Sequence, residues 1–357
     1  MTLQKLLGID LPVIQAPMAG VQGSALAVAV SNAGGLGSLP CAMLDPVSLR
    51  QELAAIRAQT VKPFNVNFFC HSHPDPSPTQ DAAWRAALLP YFAEYGVDPG
   101  AVAAGAGRVP FNRAAAELLG EFRPPVLSFH FGLPCEDLLA LVRGWGAKIL
   151  ASATTVEEAC WLEARGVDVV IAQGLEAGGH RGMFLSDDLH TQVGTFALVP
   201  QIVRSVRIPV VAAGGIADSQ GVAAALRLGA AGVQVGTSYL LCCEATTSPV
   251  HRSALKGEAA RLTALTNLFS GRPARGIMNR LMRELGPLSG AVPAFPLASS
   301  ALAPLRAKAE SLGRGDFSPL WAGQNASGCR EVSAAVLTWE LAGALAGAPV
   351  TLKGQDG

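Results

Sequence analysis

Eight short apolar runs, each followed by a turn or a helix-like stretch, recur along the chain and constrain its fold more than any other feature. They fall at residues 13–16, 35–38, 64–68, 126–129, 148–152, 169–172, 210–213 and 232–235. Their apolar character is continuous rather than alternating, the pattern of parallel strands buried on both faces. Helical patterns lie between them. One at 155–165 has Thr155 as its N-cap and Glu157 and Glu158 in its first turn, and another at 219–228 is ended by Gly229. Eight strand–helix units predict an α/β protein, a closed (β/α)8 TIM barrel rather than an open doubly wound sheet. The second strand is the weakest member, because Gly34, Gly35 and Gly37 lower β propensity there.

A barrel needs about 250 residues, and this chain has 357. The excess lies in two stretches. Residues 70–123 open on His71-Ser-His-Pro-Asp-Pro-Ser-Pro78, a proline-broken loop, and continue as helix around 84–94; residues 240–318 follow the last strand. The expected organisation is a barrel of 1–238 and 319–350 with an inserted lid or substrate subdomain, 239–318, because loops at the C-terminal ends of barrel strands carry function. The longest uncharged run, 285–305, is long enough to raise a membrane helix, but Pro287, Pro293, Pro296 and Pro304 break it, so it reads as a proline-rich surface or lid segment. Residues 328–345 read as a closing helix with Val332, Ala335, Val336, Trp339, Leu341 and Ala342 on one buried side.

Basic and acidic residues balance at 27 each, which removes the positive footprint of a nucleic-acid binder and favours neutral or small anionic partners. Seven cysteines without a C-x-x-C pair point to neither a disulfide framework nor a zinc site. His71 and His73 have no carboxylate or further histidine spaced to complete a metal set, so no metal is expected. The start of the chain lacks the pattern of a secretory signal, and the cytoplasm is the expected compartment. A homodimer stays open.

Two glycine turns carry the strongest chemical signal. Ala212-Ala-Gly-Gly-Ile216 ends the seventh strand and Gln234-Val-Gly-Thr237 ends the eighth, the two positions where such barrels bind phosphate on backbone N–H groups. One Gly-Gly pair alone could merely make a tight turn; two glycine turns paired at these positions favour Gly214, Gly215, Gly236 and Thr237 as a phosphate site. No G-x-G-x-x-G follows an N-terminal strand, which favours a mononucleotide over a dinucleotide. After the sixth strand comes Gln173-Gly-Leu-Glu-Ala-Gly-Gly-His180-Arg-Gly182. Gln173 can hydrogen-bond a cofactor's polar edge, Gly178 and Gly179 allow close backbone approach, and His180 is delivered over the barrel mouth. A lone loop histidine is usually solvated or capping, but the glycines and the strand-end position favour proton transfer, which imidazole suits near neutral pH.

Together with Gln15-Ala-Pro-Met-Ala19, Asn32-Ala-Gly-Gly-Leu-Gly-Ser38 and Asn65-Val-Asn-Phe-Phe69, these motifs resemble, in order, the nitronate monooxygenases, formerly 2-nitropropane dioxygenases. Thr266-Asn-Leu-Phe-Ser-Gly-Arg-Pro-Ala-Arg275 and Trp321-Ala-Gly-Gln324 extend the resemblance over nearly the whole chain. It implies bound FMN, no metal, and oxidation of an alkyl nitronate, or its parent nitroalkane, by O2 to a carbonyl compound and nitrite. It further implies that Ala16, Pro17 and Met18 run along the isoalloxazine. Asn67, Gln173, Gly178 and Gly179 would contact the ring or ribityl chain, and Gly214, Gly215, Gln234, Val235, Gly236 and Thr237 would hold the phosphate. Gly323 and Gln324 would make a late contact near the flavin. His180 matches the position of the active-site base or substrate-positioning group. His130, in Ser128-Phe-His-Phe-Gly-Leu-Pro134, is similar to a second active-site histidine, its alternative being a core histidine between Phe129 and Phe131.

The chain departs from the family in its tyrosines. It has only Tyr91, Tyr95 and Tyr239, so the late segment lacks the tyrosines that line the pocket in some members. Three other readings compete. An FMN-dependent enoyl-thioester reductase would share the barrel and a Glu-x-Gly-Gly-His-like loop but consume NADH or NADPH. A flavin-binding protein without turnover would have no use for His180 on a glycine loop. An IMP-dehydrogenase-like barrel needs a cysteine nucleophile after the sixth strand, and residues 173–188 contain none.

Overall fold

A computed structural model describes residues 1–101 and 108–343. Its strands, in chain order, are β1 (Val13–Gln15), β2 (Gly37–Pro40), β3 (Phe64–Phe69), β4 (Val126–His130), β5 (Lys148–Ala153), β6 (Val169–Gln173), β7 (Gly179–His180), β8 (Val210–Ala213), β9 (Gly232–Val235), β10 (Thr263–Thr266) and β11 (Ala274–Ile277). Eight of them form one parallel sheet in the order β1-β9-β8-β6-β5-β4-β3-β2. Ile14 bridges to Leu36, with Leu36 N–H donating to Val13 O and Gln15 N–H to Leu36 O, each 2.9 Å, which closes the sheet into a TIM barrel.

The second strand starts at Gly37, two residues later than expected, with Leu36 contributing only the closing bridge. Gly37 is explained by packing: a Cβ there would lie 1.9 Å from Ala27 O, so the helix Ser24–Asn32 can cross this closely only over glycine. The expected helices are present as Val156–Glu163, whose Thr155 hydroxyl accepts from Glu158 N, and Ser219–Arg227, followed by Gly229 at φ +97°. Below the mouth the barrel is filled by Ile14, Leu36, Leu150, Ile171 and Val211, plugged by Leu3 and Leu7 of the helix Leu3–Leu7. Each fully buried leucine contributes about 1.5–3 kcal/mol.

A second apolar core draws on both insertions. Trp84, Leu88 and Phe92 of the helix Pro78–Tyr95 pack with Leu302 and Leu305 of the helix Ala298–Ser311 and with Phe317. The proline-rich run is therefore not simply surface. Pro287, Pro293 and Pro296 precede the helix, and from Ala298 onward the segment buries Ala301, Leu302 and Leu305 despite Pro304 within it.

The closing helix spans Ala334–Ala342, and its buried side differs from the expected one. Ala334, Leu337, Thr338, Leu341 and Ala342 face inward, whereas Val336 is 37% and Trp339 56% exposed. The helix has too few polar positions to mark its outer side, so the rotation is set instead by the buried pair Thr338 Oγ1–Tyr239 Oη at 2.8 Å. Trp339 is tethered by its indole N–H, which donates to Ala33 O at 3.0 Å. Among the described residues no helix is long and apolar enough to cross a membrane.

Candidate active site

The C-terminal ends of the barrel strands surround one large cleft, about 1310 Å3 when its open mouth is counted. Ala16, Pro17 and Met18 after β1, Asn67 of β3, His130 of β4 and Gln173 of β6 line it. So do Gly178, Gly179 and His180, then Gly214 and Gly215 after β8, and Gln234, Val235, Gly236 and Thr237 at the end of β9. Of the two late residues, Gly323 lines the cleft but Gln324 does not: it is exposed, and its N–H donates to Glu176 O at 2.9 Å. Asn325 supplies the polar side chain there, its Nδ2 donating to Gly215 O at 3.0 Å.

At the β8–β9 side the backbone is shaped for an anion. Gly214 and Gly215 have φ of +121° and +73°, conformations that side-chain-bearing residues adopt only with strain. Gly323 N–H donates to Thr237 Oγ1 at 2.9 Å, which ties the late segment across the turn. Gln234 Oε1 is buried without a hydrogen-bond partner among the described residues. A buried unpaired acceptor is costly, so it calls for a donor from a ligand.

The glycine loop after β6 is held rigidly. Its β7 segment pairs antiparallel with β11, Gly179 opposite Arg275 and His180 opposite Ala274, so it forms the edge of a sheet with β10 and β11. Gly178 is needed for backbone packing, since a Cβ there would lie 2.5 Å from Gly323 N. Arg181 is fully buried and donates to Gln173 O, Gly174 O and Gln192 Oε1 at 2.8, 2.7 and 3.0 Å. The Gln173 amide spans the loop as well, donating to His180 O at 3.0 Å and accepting from Gly182 N at 2.8 Å.

The two histidines differ in how their ring nitrogens are engaged. His130 Nε2 lies 3.1 Å from His180 O and its Nδ1 3.0 Å from Ser152 Oγ. A carbonyl only accepts, so Nε2 carries the proton and Nδ1 accepts from the serine: a neutral ring with both nitrogens engaged. Burial pushes its pKa down to about 4. His180 Nε2 is 2.9 Å from Ser270 Oγ, and its ring lies 6.1, 5.3 and 5.5 Å from those of Phe69, Phe295 and Trp321. Burial, and then the charge on Arg108, hold its pKa well below 6.5. Both imidazoles are neutral at neutral pH.

Several residues here went unnoticed in the sequence. Ser270 belongs to the 266–275 motif, which had been matched without a role; that motif leads into the strand that fixes His180. Arg108, Glu176 and Trp321 also line the cleft. In the sequence Arg108 follows the glycine- and alanine-rich run 100–107, which carries no periodic signal, and nothing local marks it. None of the three tyrosines lines the cleft: Tyr91 and Tyr95 pack in the second core and Tyr239 in the barrel wall.

Comparison with known proteins agrees with this geometry. The sequence model of the family described as nitronate monooxygenase matches residues 1–342. The chain is 44% identical over 342 residues to a nitronate monooxygenase of Paraburkholderia phytofirmans, covering 95% of this chain and 93% of that protein. Among solved structures it is similar to a nitroalkane oxidase from Streptomyces ansochromogenes, with a TM-score of 0.86, 39% identity, and 96% and 97% of the two chains covered. It is also similar to FabK from Thermotoga maritima, with a TM-score of 0.68, 29% identity, and 96% and 94% covered. A match over almost the full length, on a barrel whose glycine turns and strand-end histidines converge on one cleft, establishes that this chain is an oxidoreductase belonging to the flavin-dependent nitronate monooxygenase family.

Proposed function

We propose that the cleft binds FMN and that the chain oxidises alkyl nitronates with O2 to a carbonyl compound and nitrite. The observation that carries this reading is one continuous cleft with an anion-shaped glycine turn on one side and a neutral, aromatic-walled His180 on another. The residues fit the cofactor: the left-handed glycines after β8 leave their backbone open to an anion, and the unpaired Gln234 Oε1 offers an acceptor to its hydroxyl or N–H groups. Gly214, Gly215 and 234–237 would hold the phosphate. Met18, whose N–H donates to Gln22 Oε1 at 3.1 Å, would lie beside the ring with Ala16 and Pro17, and Asn67 and Gln173 would stand near its polar edge. Bound FMN supplies the electron acceptor for the substrate anion and then the means of reducing O2.

The protein's own contribution is binding and orientation. A nitronate is already deprotonated at carbon, so no strong base is required. His180, with its pKa held low, is a poor base and orients the nitronate instead. His130 is a positioning residue that fixes the His180 carbonyl. Segment 239–318 acts as the lid at this end, supplying Ser270 and Phe295 to the surroundings of His180.

The purified protein is expected to be yellow, to release FMN on acid treatment, and to lose its flavin absorbance anaerobically on mixing with a nitronate but not with NADPH. Release of FAD, or reduction by NADPH with no response to nitronate, sinks the proposal, the latter in favour of an enoyl-thioester reductase. Gly215→Leu tests the phosphate site. A Cβ there would make only ordinary contact with Glu176, at 3.5 Å, so the barrel should still fold at a local strain of about 1–2 kcal/mol. The longer side chain should raise the FMN Kd about tenfold or more by blocking backbone approach. Unchanged affinity, read by fluorescence titration, would show the turn to be merely structural.

A further inference from the structure

We infer that Arg108 forms the anion-binding contact of the substrate, its guanidinium receiving the paired oxygens of the nitronate; the inference rests on the nitronate reading above. Arg108 lines the same cleft as His180, and its guanidinium lies over the Phe295 ring at 5.5 Å, with that ring 5.3 Å from His180. It is thus grouped with the strand-end histidine, whereas the turns of the phosphate site are tied to Gly323 and Asn325.

The guanidinium is part-buried, yet among the described residues no Asp or Glu forms an ion pair with it. Its surroundings are positive: Arg272 stacks over the neighbouring Phe131 ring at 4.1 Å, and Arg306 is close enough to act on its charge. An unpaired cation is expensive to bury, and this one faces a cleft rather than a core, so its counter-charge is to come from a ligand. A guanidinium presents parallel N–H donors that match two oxygens on one planar atom, as in a carboxylate or a nitronate. No tyrosine hydroxyl lines this cleft to do the same work.

The test uses the flavin-loaded protein, with isobutyrate as an unreactive planar oxyanion similar in shape to propane-2-nitronate, and isobutyramide as its neutral counterpart. Binding is read from the flavin spectrum and from tryptophan quenching. Wild type should bind isobutyrate at least tenfold more tightly than isobutyramide. Arg108→Gln should abolish that preference and raise the KM for propane-2-nitronate about 10- to 100-fold. Arg108→Lys, which keeps the charge but loses the fork, should recover part of both. Equal binding of the two probes by wild type overturns the inference even if the variants fail to fold. So does an Arg108→Gln protein with native circular dichroism and flavin content and an unchanged nitronate KM, or one whose only loss is reaction with NADPH. A wild type that shows the Arg108-dependent preference yet turns over no nitronate leaves the anion site standing and removes the assigned reaction.

Discussion

Replacing His180 with asparagine should lower kcat/KM for nitronates by roughly 10²-fold, largely through a raised KM, while FMN stays bound, the loss expected when a group that orients the substrate is removed. The size follows from how firmly the imidazole is held: its backbone is paired to β11, its carbonyl accepts from both Gln173 and His130, and its Nε2 meets Ser270. Asparagine keeps a hydrogen-bonding group of similar reach but loses the ring that fills the space between Phe69, Phe295 and Trp321. Because the imidazole is a weak base, wild-type activity on the neutral nitroalkane should already be low. The rate on nitronate should also show no inflection near pH 6.5 from this residue. His130→Asn, which alters only the support of a carbonyl, should hurt less. Wild-type rates from His180→Asn on every nitronate tested, together with an inactive His130→Asn, would exchange the two roles.

Acid should destabilise the protein well before its carboxylates titrate. Burial holds His71, His130 and His251 at pKa values of about 4 in the folded state, against 6.5 when unfolded. Between these values the unfolded chain binds more protons than the native one, so stability rises with pH across this window and is lost as pH falls from about 6.5 toward 4. Above 6.5 both states are neutral at these sites and the effect vanishes. Each histidine contributes on the order of a few kcal/mol to that loss near pH 4, from the size of its shift, the less enclosed His71 least. Urea midpoints should be flat from pH 8 to 7 and fall steadily below 6.5. A midpoint that stays constant down to pH 4.5 contradicts neutral burial of these rings. His251→Gln should shallow the slope if the account is right.

The barrel was legible because its strands are buried on both faces, and continuous apolar runs such as 169–172 and 210–213 admit few other readings. Helix ends were legible where a single side chain does the capping, as Thr155 does. The closing helix was not, because rotation of a nearly all-apolar helix is decided by a distant partner, Tyr239. The cleft divides in the same way. Glycine turns announce themselves locally through the φ values they permit, and Gly214 and Gly215 are where the sequence put them. Ser270 and Arg108 reach the site only through tertiary packing across long sequence separations, and such residues have no local signature. Gln324 illustrates the converse: a motif brings its segment to the cleft, but backbone direction hands the contact to Asn325.

The pairing of β7 with β11 has a consequence for engineering and for descent alike. The loop at 174–182 and the stretch 263–277 lie about ninety residues apart in sequence, yet they are two strips of one sheet. Moving this loop into a relative without the matching stretch would set it against an unmatched edge and leave His180 without its serine. The heritable unit of this site is therefore a discontinuous cassette, and recombination that respects only the order of the barrel strands would cut through it.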